Sequence, residues 1–543
     1  MKKTYQIFSV IFALSAFAGH SIESDEEEPP AKRARAAAAA PGAVAERSSE
    51  EQTSVRLAST RRGVAGGETS AEVTKFKKNA EEGNPEAQYD LGLCYKSGKG
   101  VSQNYKIAAQ CFRKAAKQGH SEAQYNLGLC YDSGKGVSQN HKIAAQWFQK
   151  SAKQGHAKAQ FNLGVCYDNG EGVSQDYKEA VKWYREAAAR GITSAQINLG
   201  YCYQWGQGVP KNEIIAGKWF YSAAKEGDPE AQYIIGLLHE KRKTGFPAVS
   251  TLLAFDYFEK AAKQGHPGAQ EALGRCYATK FYGKHVPHDY VQAVKWYRKA
   301  ADQGLARAQN NLGFCYEKGQ GVAQDYVQAV AWYRKAAEQD DPEAQNNLGF
   351  CYEKGQGVAQ NLKEAEAWYR KAADQGYIFA QFNLGLLYEN DENFAQAVEW
   401  YRKAADQGDL DAQSNLGDYY MKGKGVPQDH TQAVEWFRKA AAQGHPKAQS
   451  GLGFYFANGI GGVEKDLTKA VEWFKKAAAQ GDPKGQTNLG VCFAHGTGIP
   501  QNYTQAVEAK SELQKLPLEN ATEAQPESGD SARAAETESA NEK

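Results

Sequence analysis

One feature limits the folds open to this chain more than any other: a Leu-Gly pair, Ile-Gly once, returns twelve times. The glycines are Gly92, Gly128, Gly164, Gly200, Gly236, Gly274, Gly313, Gly349, Gly385, Gly417, Gly453 and Gly490. Their successive spacings are 36, 36, 36, 36, 38, 39, 36, 36, 32, 36 and 37. A domain built round a single core has no reason to rewrite itself at a near-constant period, whereas a stack of small units does.

Every copy has the same parts. The third opens with Ala159-Gln160-Phe161-Asn162-Leu163-Gly164-Val165-Cys166-Tyr167, continues with Gly170-Glu171-Gly172-Val173, then runs from Tyr177 to Ala188 and closes at Gly191. Apolar and small residues fall at helical spacing in both long pieces. Ala159, Leu163 and Tyr167 make one stripe; Ala180, Trp183 and Ala187 make the other. Gly-x-Gly-Val breaks the first helix, and Gly191 is placed to close the second in the left-handed conformation. Neither helix has enough apolar face to stand alone, so neighbours must close the core. Trp holds one slot of the second helix in nine repeats: Trp147, Trp183, Trp219, Trp296, Trp332, Trp368, Trp400, Trp436 and Trp473. The expected fold class is all-α, a solenoid of about twelve helix-turn-helix repeats over residues 72–514. The pattern is disturbed at Lys241 to Pro247, around Phe281 to His288, at Asn390 to Asn393, and at Asp340, which stands where a closing Gly is expected.

The ends differ from the middle. Residues 1–18 read as a secretory signal peptide, with Lys2 and Lys3, an apolar run from Ile7 to Ala18, and Ala16-Phe17-Ala18 as cleavage site. Residues 19–71 read as a disordered linker carrying the acids Asp25 to Glu28 and the basic tetrad Lys32-Arg33-Ala34-Arg35, which resembles a nuclear-import signal and equally suits a solvated linker. Residues 515–543 read as a second disordered tail. The expected localisation is therefore secreted or periplasmic, with cytoplasmic as the alternative. After signal removal no stretch is long and apolar enough for an integral membrane segment. With 65 Lys and Arg against 64 Asp and Glu, the balance argues against a nucleic-acid partner.

The motif A-Q-x-N-L-G-x-C-Y, G-x-G-V, A-V-x-W-Y-x-K-A-A-x-Q-G resembles the Sel-1-like repeat, a relative of the tetratricopeptide repeat. The latter has a period near 34 and lacks the Gly-x-Gly-Val turn. The resemblance implies an α/α superhelix whose first helices line an inner surface. It also implies a non-catalytic adaptor for proteins or extended peptides. Relatives serve endoplasmic-reticulum quality control in eukaryotes, and envelope functions or host contact in bacteria. A cysteine-rich bacterial branch pairs Cys within each unit; here only the first repeat has two, Cys94 and Cys111, and that bridge stays open.

Chemistry is sparse. Eight of the nine Cys share one slot, two residues after the Leu-Gly glycine. Equivalent positions in stacked helices lie ~8–10 Å apart, beyond the ~7 Å that a disulfide spans, so these Cys read as small buried hydrophobes. His285-Val286-Pro287-His288 lacks a partner pair at zinc spacing, so no metal site and no cofactor is expected. Ser222-Ala223-Ala224-Lys225 and Lys243-Thr244-Gly245 mimic two motifs of penicillin-recognising enzymes. A cell-wall-acting or penicillin-binding enzyme is therefore the alternative function.

Binding is assigned to two slots on the far side of the first helix from its core stripe. The slot three before the Gly holds Tyr89, Tyr125 and Phe161; the slot two before it holds Asn126, Asn162, Asn198, Asn311, Asn347, Asn383 and Asn415. A ladder of Asn amides could hydrogen-bond an extended peptide backbone, with aromatics alongside for its side chains. The other reading is that each Asn satisfies a neighbour inside the stack. The Gln four before the Gly, present in all twelve repeats from Gln88 to Gln486, reads as packing.

Overall fold

A computed structural model describes residues 67–240, 251–279 and 286–514. The signal peptide, most of the linker, the C-terminal tail, Lys241 to Pro247 and His285 lie outside the described residues. Those described form twenty-five α-helices and no strand. The chain divides into two compact units, one running through Trp296 and one starting at Tyr297. Within each unit the two helices of a repeat pack as a hairpin, and the second helix packs on the first helix of the next repeat.

One boundary moves. Helix α1 (Gly67–Glu81) begins inside the expected linker and precedes the first repeat, which is α2 (Pro85–Ser97) and α3 (Tyr105–Lys117). Its Val73 and Ala80 are buried in a cluster with Ala87, Leu91, Cys94 and Cys111, and Phe76 packs against them. α1 thus stands where the second helix of an earlier repeat would, which gives those residues a core to join. Its Lys75, Lys77 and Lys78 are exposed, the polar outer face that a terminal element of a stack needs.

The core stripes shift by one residue from the expectation. In the third repeat Ala159, Leu163 and Cys166 are buried while Tyr167 is half-buried; in its second helix Ala180, Tyr184, Ala187 and Ala188 are buried and Trp183 is half-buried. The ring after the Trp is the true core ring, and it explains the invariant glycine. A Cβ on Gly164 would lie 2.7 Å from the Tyr184 ring; the same holds for Gly349 against Tyr369 at 2.8 Å. In seven repeats the Trp stays half-buried at the rim, as Trp183 does on the cluster formed by Phe148 and Leu163, while Trp400 and Trp436 are buried.

The turn is equally constrained. Gly170 closes the first helix with φ 76°, and Gly172, at φ 74°, sits against the His141 carbonyl so closely that no side chain fits. The same seating on the start of the preceding repeat's second helix recurs at Gly136, Gly208, Gly357, Gly425 and Gly498. Gly191 takes φ 81° as expected, and Asp340 takes its place in another repeat with φ 62°.

The invariant Gln is a structural clamp. Gln345 Nε2 donates to the Ala337 carbonyl of the preceding repeat at 3.2 Å, and its Oε1 accepts from Gln375 Nε2 at the end of its own second helix, 2.8 Å away. Gln124 does the same with Ala116 and Gln154, and Gln309 with Ala301 and Gln339. One buried amide thus ties three helices, and it satisfies a carbonyl at a helix end that has no partner in its own helix.

Candidate functional site

Within the C-terminal unit, the first helices of repeats 7 and 8, 10 and 11, and 11 and 12 approach one another more closely than any two second helices do. The first helices therefore line the shorter, inner side there, as the resemblance implied.

The structure places all ten proposed binding residues on first helices, none fully exposed. Tyr89, Tyr125 and Phe161 are half-buried, their ring centroids 5.9, 6.0 and 6.0 Å from Phe112, Phe148 and Tyr184. Tyr89 and Tyr125 also stack on His120 and His156, which cap the first helix of the next repeat, at 4.8 and 4.7 Å. Burial first, then the carboxylates of Glu122, Asp90 and Glu86, push the Tyr89 hydroxyl up to about 12, so it stays a neutral donor.

The Asn amides are occupied by the stack to different degrees. Asn126 is buried, donates to the Glu122 carbonyl at 3.0 Å and hydrogen-bonds Tyr89. Asn198 hydrogen-bonds Tyr184. Asn347 Nδ2 donates to Asn310 Oδ1 at 3.0 Å, and Asn383 to Asn346 at 2.8 Å, each bond crossing between repeats. Asn162, Asn311 and Asn415 lie half-buried in the same row.

A second row went unassigned in the sequence. The residue directly after the Leu-Gly glycine is apolar in ten repeats: Leu93, Leu129, Val165, Tyr201, Leu237, Phe314, Phe350, Leu386, Phe454 and Val491. All but Tyr201 keep part of their surface in solvent. This slot lies ~200° round the helix from the core Leu, and apolar residues off the core stripe were the available signal. Leu93, Leu129, Val165 and Leu386 pack one side against the core clusters and keep the other in solvent, whereas Phe454 and Val491 are exposed. Arg275 interrupts the row, paired with Glu240 at 2.9 Å, and Asp418 interrupts it again.

The features with catalytic overtones do not assemble. Ser222 and Lys225 share a helix, but Lys225 Nζ sits 5.4 Å over the Tyr221 ring, and Lys243 to Gly245 lie outside the described residues. All nine Cys are buried free thiols, Cys94 and Cys111 included; burial pushes Cys130 up to about 11 and Cys166, Cys315 and Cys351 up to about 12. Thiols so held are poor nucleophiles and poor metal ligands. His288 Nε2 lies 3.1 Å from the Ala278 carbonyl. Among the described residues one cluster has metal-ligand character, Asp132, His141 and Glu171, at partly exposed positions.

Comparison with known proteins decides the family. The Sel1 repeat matches residues 85–120, 121–156, 157–192, 193–228, 229–266, 267–305, 306–341, 342–377, 378–409, 410–445, 446–482 and 483–508. The chain belongs to the Sel1 repeat family. Among solved structures it is similar to a protective antigen of uropathogenic Escherichia coli strains that displays an SLR fold, at 35% identity and TM-score 0.67, over 84% of this chain and 98% of that one. A Sel1 repeat protein from Oxalobacter formigenes is 34% identical over 47% of this chain and 99% of its own, with TM-score 0.42. No curated protein matches in sequence. Sel1 repeat solenoids are typically protein-interaction scaffolds, and no described helix is long and apolar enough to cross a membrane.

Proposed function

We propose that this Sel1 repeat protein is a non-catalytic scaffold that binds a protein or extended peptide along the inner face of its first helices. The observation that carries the reading is the solvent-reaching apolar row within each unit, Leu93, Leu129, Val165 and Leu237 in one and Phe314 to Val491 in the other, flanked by Asn amides. Apolar side chains displayed at the repeat spacing offer anchoring pockets, and amides beside them offer donors and acceptors to a partner backbone. The finer reading places the protein outside the cytoplasm, in the envelope or in contact with host proteins. The expected signal peptide supports it, and so does the protective-antigen role of the E. coli relative.

The test is affinity capture with the full chain, followed by two variants. Replacing Leu129 and Val165 with Lys is expected to lose the captured partner with helicity unchanged. Replacing Asn162, Asn198, Asn311 and Asn347 with Ala separates the two readings of the Asn row. Lost capture with intact helicity supports the ladder, unchanged capture removes it, and unfolding makes the Asn structural. Cell fractionation with and without residues 1–18 tests export; a protein that stays in the cytoplasm with those residues present refutes it.

A further inference from the structure

The last two repeats present a face unlike the other ten. Their first helices are α22 (Pro446–Asn458) and α24 (Pro483–His495). Nine of the other ten first helices carry at least one Asp or Glu, and the tenth, Thr193–Trp205, carries no charge. α22 and α24 carry none either, but each has an exposed Lys in its first turn, Lys447 and Lys484. Their members of the apolar row, Phe454 and Val491, are 42% and 45% exposed, the most open of that row. The slot that holds Tyr89, Tyr125 and Phe161 in the first three repeats holds the small polar Ser450 and Thr487 here. Asp482, which caps α24, is buried and accepts a hydrogen bond from Ser450, and Asp418 holds the apolar-row slot on the repeat before. The result is a cationic, apolar surface on two adjacent helices.

The chain supplies a segment of opposite character next to it. Residues 515–543 follow α25 (Tyr503–Gln514), the helix paired with α24. They hold seven acidic residues, Glu519, Glu523, Glu527, Asp530, Glu536, Glu538 and Glu542, against Lys515, Arg533 and Lys543. Leu516 and Leu518 stand at their start. Fully extended, such a segment reaches ~95 Å, several times the ~20 Å length of a thirteen-residue helix. Tethering places it at an effective concentration in the millimolar range. We infer that the acidic C-terminal segment docks in cis on the Lys447, Lys484, Phe454 and Val491 face of the last two repeats. An acidic ligand must then displace that segment to use this end of the binding face. The inference rests on the reading of the first-helix face as a binding surface, but its test needs no external partner.

The probe is a synthetic peptide of residues 515–543, titrated by calorimetry at low salt into three full-length proteins. The variant whose seven acids between 519 and 542 are amides is expected to bind the peptide, with affinity falling as salt rises. The wild type is expected to bind at least about tenfold more weakly, because its own segment competes. Adding Lys447→Glu and Lys484→Glu to the amide variant is expected to abolish binding, with circular dichroism confirming intact helices. Hydrogen exchange should show peptide-induced protection within residues 446–458 and 483–495. Equal binding by wild type and amide variant would mean the face is empty in cis and overturns the inference. So would binding by neither, or binding that survives the two Lys reversals.

Discussion

Repeats 7 to 9 and repeats 3 and 4 share the same helices and the same buried leucines, yet their polar wiring differs. In repeats 7 to 9 each clamp Gln has both partners: Gln309, Gln345 and Gln381 accept from Gln339, Gln375 and Gln407. Asn bonds run between repeats at Asn347 and Asn383, whereas the bond from the core Tyr to a carboxylate, Tyr333 to Glu317 and Tyr369 to Glu353, recurs in repeat 3 as Tyr184 to Asp168. In repeats 3 and 4 the closing Gln is replaced by Arg190 and Glu226, and the buried Oε1 atoms of Gln160 and Gln196 have no partner. A slot can therefore be invariant in sequence while its network is complete in one stretch and open in another. Apolar packing sets the fold, and the amide wiring sets how firmly neighbouring repeats are joined.

The largest expected effect is one that should not discriminate. Leu348→Ala and Leu199→Ala each remove a fully buried side chain and should each cost about 2–5 kcal/mol. Because solenoid repeats unfold locally, the measurement is hydrogen exchange of the affected helices. Losses differing by more than about 1.5 kcal/mol would show that the two cores are not equivalent, and the contrast in wiring would lose its baseline.

Discrimination should appear at the clamp. Gln345→Met leaves the Ala337 carbonyl with only the Asp340 N–H and strands the Gln375 amide, whereas Gln160→Met leaves the Ala152 carbonyl with the Gly155 N–H, strands no donor and removes an orphaned acceptor. An unsatisfied buried group costs ~1–3 kcal/mol, so the first change should be the more damaging by about 1 kcal/mol. Equal losses would show that the second hydrogen bond adds nothing to the joint.

The converse change repairs the weaker region. Arg190→Gln and Glu226→Gln restore the residue found in sister repeats and should stabilise their joints by about 0.5–1.5 kcal/mol each. No gain in denaturant resistance would mean that water already satisfies the two Oε1 atoms.

These distinctions were only partly legible in the sequence. Period, helical hairpins, the turn and the closing glycines were all readable, because each is a local pattern repeated twelve times. The buried role of the Gln was readable from its invariance, but not its partners: Gln375 lies thirty residues beyond Gln345, a distance that only the hairpin geometry closes. Tyr167 and Trp183 were placed one residue off because a 3.6-residue period leaves i+3 and i+4 nearly equivalent; the ring over Gly164 decides for Tyr184. On the binding face, attention to the conspicuous Asn row hid the apolar row beside it. That row is written in Leu, Val and Phe, residues that ordinarily report the core.

The smallest expected effect concerns pH, and here the two regions should respond in opposite directions. His156 caps the first helix of repeat 3 by accepting the Ala159 N–H at Nδ1, 3.1 Å away. Burial holds it below its ordinary value, partly opposed by Glu122. A His depressed in the folded state binds fewer protons there than when unfolded, so its contribution is lost as pH falls through ~6.5 and below. Asp341 caps repeat 8 by accepting the Ala344 N–H at 2.8 Å, and burial holds it above the ordinary carboxylate range. A raised Asp binds more protons folded than unfolded, so the same acidification, down toward ~4, strengthens that joint. Hydrogen exchange of the two helices from pH 7 down to about 4, corrected for intrinsic rates, should show protection falling over Ala157–Asn169 and rising over Pro342–Lys354. His156→Asn and Asp341→Asn, which keep a cap acceptor without a titrating group, should flatten each response separately. A common direction in both helices would mean that the caps do not govern the pH response of the joints.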